Sequence, residues 1–194
     1  EGLSDSKTLG LPNYEQAIIQ HQSYIDALTK CGLDVHVLEP CEEYPDSTFV
    51  EDVALITPNC AIITRPGAPS RRGEVHEIEF VLKQRFNNIE AIEAPGTIEG
   101  GDIMMVGDHY FIGLSERTNL EGAKQIIQIL KKYGMSGSTI SLKKVLHLKT
   151  SLSYLEKNNL VVSGEFINDS YFGQYNSIEI PEKESYAANC IWVN

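Results

Sequence analysis

The sequence predicts an α/β fold built from a recurring unit of hairpin, polar loop, helix and strand. Three observations predict it: short apolar runs broken at their centre by turn residues, amphipathic helical spacing after the loops, and a return of the same order along the chain. Before the first unit, Ala17, Ile18, His21, Tyr24, Ile25 and Leu28 share one face of a predicted helix over 14–30, which ends at Cys31-Gly32. A β-type run over 35–38 follows. The first unit begins at Glu51-Asp52, turns at Pro58-Asn59, returns through 60–64 and leads by a loop ending at Arg71 to a helix carrying Val75, Ile78 and Leu82. The second begins at Gly101-Asp102, turns at Gly107-Asp108, returns over 109–113 and reaches a helix with Ala123, Ile126, Ile127 and Leu130.

A third unit runs from an apolar strand around His147 through Leu152 and Tyr154 to a turn at Lys157-Asn158-Asn159, back along 160–162, and on through a short helix to a strand over 177–180. A fourth hairpin is expected to start at Ala188 and to be cut at Asn194. Units of about 50 residues point to radial or solenoid assembly, because one hairpin and one helix cannot bury their apolar face unaided. An open α/β sandwich with coincidental internal similarity is the alternative. A single domain over 1–194 is expected, lacking its opening strand and its C-terminal part.

Composition narrows the function classes. At 42% apolar and 22% charged residues the chain is neither disordered nor fibrous, and a formal charge of −11 opposes nucleic-acid phosphates and anionic membranes. No apolar run approaches the roughly 20 residues that span a bilayer, and the first ten residues are not a signal peptide, so a cytoplasmic protein is expected. Cys31, Cys41, Cys60 and Cys190 lie at irregular separations without a C-x-x-C pair, which argues against structural zinc and a disulfide framework.

The charged residues fall at equivalent corners of the units: Asp46, Glu51 and Asp52 before the first hairpin, Glu99 and Asp102 before the second, His147 before the third. In a ring those corners converge. Clustered carboxylates suit a guanidinium, a planar cation with several donors that stays charged at all useful pH, and Arg71 and Arg117 at the loop ends suit a carboxylate at the other end of the same ligand. Spacing alone leaves the ordinary alternatives standing: a solvated strand edge for Asp52, a core histidine for His147, surface ion pairs for the arginines.

The strings PDSTFVEDV over 45–53, ITRPGAPSRR over 63–72, GLSERTN over 113–119, LHLK over 146–149 and AANC over 187–190 resemble, in order, the signatures of the dimethylarginine dimethylaminohydrolase family, bacterial type. The resemblance covers essentially the whole chain. It implies the five-fold pseudo-symmetric α/β propeller, or pentein, of the guanidine-modifying (amidinotransferase and arginine deiminase) superfamily. It also implies hydrolysis of asymmetric dimethylarginine and monomethylarginine to citrulline and a methylamine through a covalent cysteine thiouronium, with no cofactor. Carried over position by position, His147 matches the general acid/base and Glu99, in TIEGG over 97–101, the carboxylate that works with it. Asp52 matches the grip on the guanidinium, with Asp46, Phe49 and Glu51 lining the same pocket. Arg71 and Arg117 match the two positions that bind the amino-acid end, and Leu3 the lid residue whose backbone reaches the α-amino group. The expected partner is a small methylated arginine, not nucleic acid or membrane, and a homodimer is an expected assembly.

The family's nucleophilic cysteine lies well after its AANC string, a position expected to fall outside this chain, and Cys190 is read as a non-catalytic strand residue. Arginine deiminase is the nearest rival. It carries an aspartate two residues after its histidine where this sequence has Lys149, and losing that carboxylate fits a ligand with an alkylated distal nitrogen. A non-catalytic propeller used for binding is the rival from another class, and an amidinotransferase is a more distant one. Both propeller readings turn on one geometric expectation: in an enzyme, Asp52, Glu99 and His147 meet within roughly 4 to 6 Å, the range over which charges act on one another.

Overall fold

A computed structural model describes residues 2–3 and 12–193. Two compact units divide the chain, Ser47–Trp192 and Glu1–Asp46 with Val193–Asn194. In the smaller unit the predicted helix is α1, Tyr14–Lys30, started by Asn13, whose side chain accepts the Gln16 N–H, and ended where Gly32 takes a φ of 85°. Its apolar face is not covered in the way that amphipathic spacing anticipates. Ile18 and Tyr24 are exposed, only Ile25 and Leu28 are half-buried, and no α1 residue is buried. The predicted strand over 35–38 forms no ladder, since among the described residues no second strand pairs with it.

The larger unit holds three three-stranded sheets among the described residues. In the first, β1 (Ala54–Ile56) runs antiparallel to β2 (Ala61–Ile63), which runs parallel to β3 (Ile89–Ala91) after the crossover helix α2 (Val75–Lys83). The second repeats the plan with β4 (Ile103–Val106), β5 (His109–Leu114), α3 (Leu120–Lys132) and β6 (Ser136–Ser141). β7 (Leu152–Tyr154), β8 (Asn159–Val162) and β9 (Asn176–Glu179) make the third, where two single 3-10 turns, Gly164–Phe166 and Ser170–Phe172, replace the crossover helix. The hairpins lie where the sequence pattern puts them, and β9 is the strand it places over 177–180, whereas β3 and β6 are not located by that pattern.

Two predicted strands are corrected. His147 does not lie within a strand; it caps a 3-10 turn, Leu148–Thr150, that precedes β7. The same device precedes the other hairpins, as Val50–Val53 and Gly100–Asp102. The fourth hairpin is also absent among the described residues: Ala188 ends a 3-10 segment, Glu182–Ala188, and 189–193 make no ladder. Cys190 is therefore not a strand residue. Its N–H goes to the Ser153 hydroxyl, which itself donates to the Ala188 carbonyl, so side-chain bonds occupy groups a strand would pair.

Burial explains why the units must assemble. Successive β5 residues point to opposite faces: Tyr110 and Ile112 enter a core with Ile62, Ile98, Ile103, Ala123, Ile126 and Leu130, while Phe111 enters another with Met104, Leu148, Leu160 and Phe172. Each core joins side chains of two neighbouring units. The central strands β2, β5 and β8 are covered on both faces, which is why their sequences read as largely continuous apolar runs instead of alternating ones. Asn119 fixes the entry to α3 by accepting N–H groups of Gly122 and Thr97 and donating to the Pro95 carbonyl. That contact brings the helix so near that a Cβ on Gly122 would collide with the Thr97 carbonyl. Gly122→Ala is expected to cost about 1–3 kcal/mol by overpacking, read as a lower urea midpoint at unchanged slope.

Candidate active site

The three 3-10 turns deliver their charged residues to one place. Asp52 sits on the first, Glu99 caps the second and Asp102 ends it, and His147 caps the third. The approach depends on a glycine pair. A Cβ on Gly100 would strike the Glu51 carbonyl, and one on Gly101 would lie 2.9 Å from Asp52 Oδ1 and 3.0 Å from the His147 ring. Without it, the Gly101 N–H reaches Asp52 Oδ1 at 2.8 Å. One carboxylate oxygen each of Asp52 and Glu99 and one ring nitrogen of His147 all lie within 4.8 Å of one another, inside the range of roughly 4 to 6 Å expected of an enzyme.

Glu99 is the centre of the arrangement and is fully buried. Its Oε1 accepts the N–H groups of Gly67 (3.0 Å) and Ala68 (3.4 Å) from the loop before α2. Its Oε2 makes no hydrogen bond among the described residues, yet three cationic groups face it: His147 Nε2 at 3.4 Å, Arg117 Nη1 at 3.5 Å and Arg71 Nη1 at 3.7 Å. On the other edge of the ring, His147 Nδ1 is 3.3 Å from Asp102 Oδ2, near enough for charge attraction but misaligned for a hydrogen bond. Burial alone would lower the His147 pKa. Asp102, Asp52 and Glu99 outweigh it and hold the pKa above the ordinary 6.5, which favours the imidazolium.

Arg71 is 3% exposed and turned inward. Nε and Nη2 fork onto Glu74, at 3.1 and 2.8 Å, and Nη1 donates to Asp52 Oδ2 at 2.7 Å. Burial opposes its charge, and these bonds to Glu74 and Asp52 more than compensate, raising its pKa further. Arg117 is the more accessible arginine, with 16% of its side chain exposed. Phe49, 58% exposed, has its ring 5.8 Å from the Arg71 guanidinium, and Glu51 pairs with Lys149 at 2.6 Å. Leu3 and Asp46 belong to the smaller unit, where the Leu3 N–H bonds both Asp46 oxygens at 3.1 and 3.0 Å.

Among the described residues, four carboxyl groups, Asp52, Glu74, Glu99 and Asp102, thus face two guanidiniums and one imidazole. Two guanidiniums against the same oxygens disfavour a compact metal ion and leave room in the chemistry for a flat, delocalised one. Two members of this cluster escaped the sequence-based role assignments. Asp102 stands at a recognised corner but drew no role, and Glu74 is legible only as an acid three residues after Arg71, where one helical turn makes them neighbours. Cys60 lies in the core, where burial pushes its pKa up.

The family model for N,N dimethylarginine dimethylhydrolase, eukaryotic, matches residues 9–183. The N(G),N(G)-dimethylarginine dimethylaminohydrolase of Pseudomonas aeruginosa is 60% identical over 100% of this chain and 76% of its own length. This chain belongs to the dimethylarginine dimethylaminohydrolase family. A crystal structure of the Pseudomonas aeruginosa member, a cysteine-to-serine variant complexed with citrulline, superposes with a TM-score of 0.97 at 59% identity, over 100% of this chain and 76% of that one. The fold extends to the N-terminal domain of ArgZ, a cyanobacterial arginine dihydrolase, at a TM-score of 0.84 and 18% identity over 94% of this chain and 71% of that one. The pentein architecture is thereby the fold of this dimethylarginine dimethylaminohydrolase family member, and an open sandwich is excluded. No helix among the described residues is long and apolar enough to cross a membrane.

Two outcomes follow. Arg71→Ala removes the guanidinium that Asp52 and Glu74 share in the buried cluster and is expected to cost about 3–5 kcal/mol by chemical denaturation at neutral pH. For His147, the folded pKa lies above the unfolded value of 6.5, so its contribution to stability is complete below that value and is lost as pH rises through the higher folded midpoint. An NMR titration of the ring protons should give that midpoint above 6.5.

Proposed function

We propose that this protein hydrolyses Nω-methylated arginine, asymmetric dimethylarginine and monomethylarginine, to citrulline and the corresponding methylamine. The observation that carries the proposal is the meeting of Asp52, Glu99 and His147 within 4.8 Å in a buried, acid-rich cluster. A propeller serving only to bind has no need to bring a raised-pKa histidine and two carboxylates from three different units to one point. The family membership supplies the substrate class.

The substrate guanidinium lies against Asp52 and Glu99, which take up its positive charge. A thiolate adds to the central guanidinium carbon, and the bond from that carbon to the methylated nitrogen breaks as the His147 imidazolium gives its proton to the departing amine. Neutral His147 then takes a proton from water attacking the S-alkylthiouronium, citrulline forms, and the thiolate is regenerated. Glu99 and Asp102 serve this cycle by keeping the imidazole protonated until the amine leaves. We assign the attacking thiolate to none of Cys31, Cys41, Cys60 and Cys190, and place it on a cysteine beyond these four. Arg117 is exposed enough to fork onto the substrate carboxylate, whereas the Arg71 guanidinium is bonded to Asp52 and Glu74. The four unpaired cysteines suit a reducing compartment, and we place the enzyme in the cytoplasm.

Lys149 favours the methylated substrate over arginine. It occupies the position of the second guanidinium-gripping aspartate of the deiminases and is itself neutralised by Glu51 at 2.6 Å, so it offers the distal nitrogen no acceptor. On the complete protein, citrulline formation is expected to be faster from asymmetric dimethylarginine than from arginine, and faster turnover of arginine would replace this reading with a deiminase. His147→Asn and Glu99→Gln are each expected to lower kcat by about 10² to 10⁴.

A further inference from the structure

We propose that Asp102 is a positioning residue for His147, one carboxylate that fixes both the backbone turn and the ring of the acid/base group. The inference rests on the reading of His147 given above and adds a residue to it. Asp102 is fully buried and sits beside Glu99 on the same 3-10 turn, but it faces the opposite edge of the ring. Its Oδ1 accepts the Leu148 N–H at 3.0 Å, the first donor of the turn that His147 caps. The peptide following the histidine is therefore tied to a residue 46 positions away in sequence, and His147 cannot shift along its turn without breaking a buried bond.

The other oxygen is held as firmly. Asp102 Oδ2 accepts Ser115 Oγ–H at 2.7 Å and Thr118 Oγ1–H at 2.6 Å, and it lies 3.3 Å from His147 Nδ1. Two neutral hydroxyls fix where the negative charge stands, so the ring is attracted to a set point instead of to a mobile side chain. Thr118 Oγ1 also accepts the Glu99 N–H at 3.2 Å, which couples the placement of the two acids that face Nδ1 and Nε2. The remaining charged groups about the ring are Asp52, with Arg71 and Arg117 set across Glu99. Small residues complete the fit: a Cβ on Gly113 would lie 3.3 Å from Asp102 Oδ1, and one on Gly101 3.0 Å from the imidazole.

Asp102→Asn separates a positioning role from simple packing. It keeps the shape and an oxygen for the Leu148 N–H, and the two hydroxyls can rotate to suit an amide, but the charge facing Nδ1 is gone. In the complete protein, the NMR titration midpoint of His147 is expected to fall by about one pH unit or more. The limb of the pH profile for citrulline formation should move with it, and kcat should drop by about 10²-fold with KM changed far less. A lower thermal midpoint with the His147 titration and pH profile unmoved would overturn the proposal and leave Asp102 a packing residue. Should D102N fail to fold, Ser115→Ala removes one hydroxyl from Oδ2 and concentrates its charge toward Nδ1. The His147 midpoint should then rise, and an unmoved midpoint overturns the inference equally. Failure of the complete protein to turn over dimethylarginine would instead sink the reading of function and leave these titrations intact as the test of Asp102.

Discussion

The burial of the Glu99 carboxylate is the constraint on which the rest of the larger unit depends. A fully buried acid is tolerated only where donors and cations gather around it, and here they come from all three repeat units: backbone N–H groups and Arg71 from the first, Arg117 from the second, His147 from the third. Removing any one unit strips partners from Glu99. The same contacts that make the acid bearable thus fix the mutual placement of the turns, and the site's geometry and the assembly of the fold are one problem.

Packing solves the other half of it. The two larger cores each draw on neighbouring units, with β4 and β5 sending alternate side chains into both. Strands covered on both faces cannot slip in register without placing large side chains where small ones belong, so the hairpins hold the 3-10 turns at defined heights. Gly100 and Gly101 then let the turns approach to distances that a side chain would forbid. Rigid strands behind and bare backbone in front leave the acids and the imidazole little freedom, which is the preorganisation that acid/base chemistry requires.

The electrostatic consequence is a histidine whose two nitrogens each face a carboxylate, with a pair of arginines set against the same acids. Arg71 is more deeply committed to these contacts than its sequence position suggests. An arginine closing a polar loop ordinarily reads as a surface group, and the loop here folds back so that its guanidinium is 3% exposed. At the edge of the same turns Lys149 is joined to Glu51, so its ammonium is neutralised by an acid of the first unit.

Much of this was legible in the residues. Local patterns determined the hairpins, their turns and the helices α1, α2 and α3, because dihedral preference, periodicity and capping act within a few residues of chain. Motif strings in order determined the family, and with it His147, Glu99, Asp52 and the two arginines as candidates. Local pattern failed where the partner is remote. The segment over 35–38 and the residues after Ala188 have strand composition but no ladder, α1 has an amphipathic face without a covering surface, and His147 sits at a turn instead of in an apolar strand. Only the tertiary structure decided that Asp102 stands against the ring, that Glu74 takes Arg71, and that Glu99 Oε2 faces three cations. Those are contacts between residues up to 48 positions apart, and no property of either residue alone encodes the distance between them.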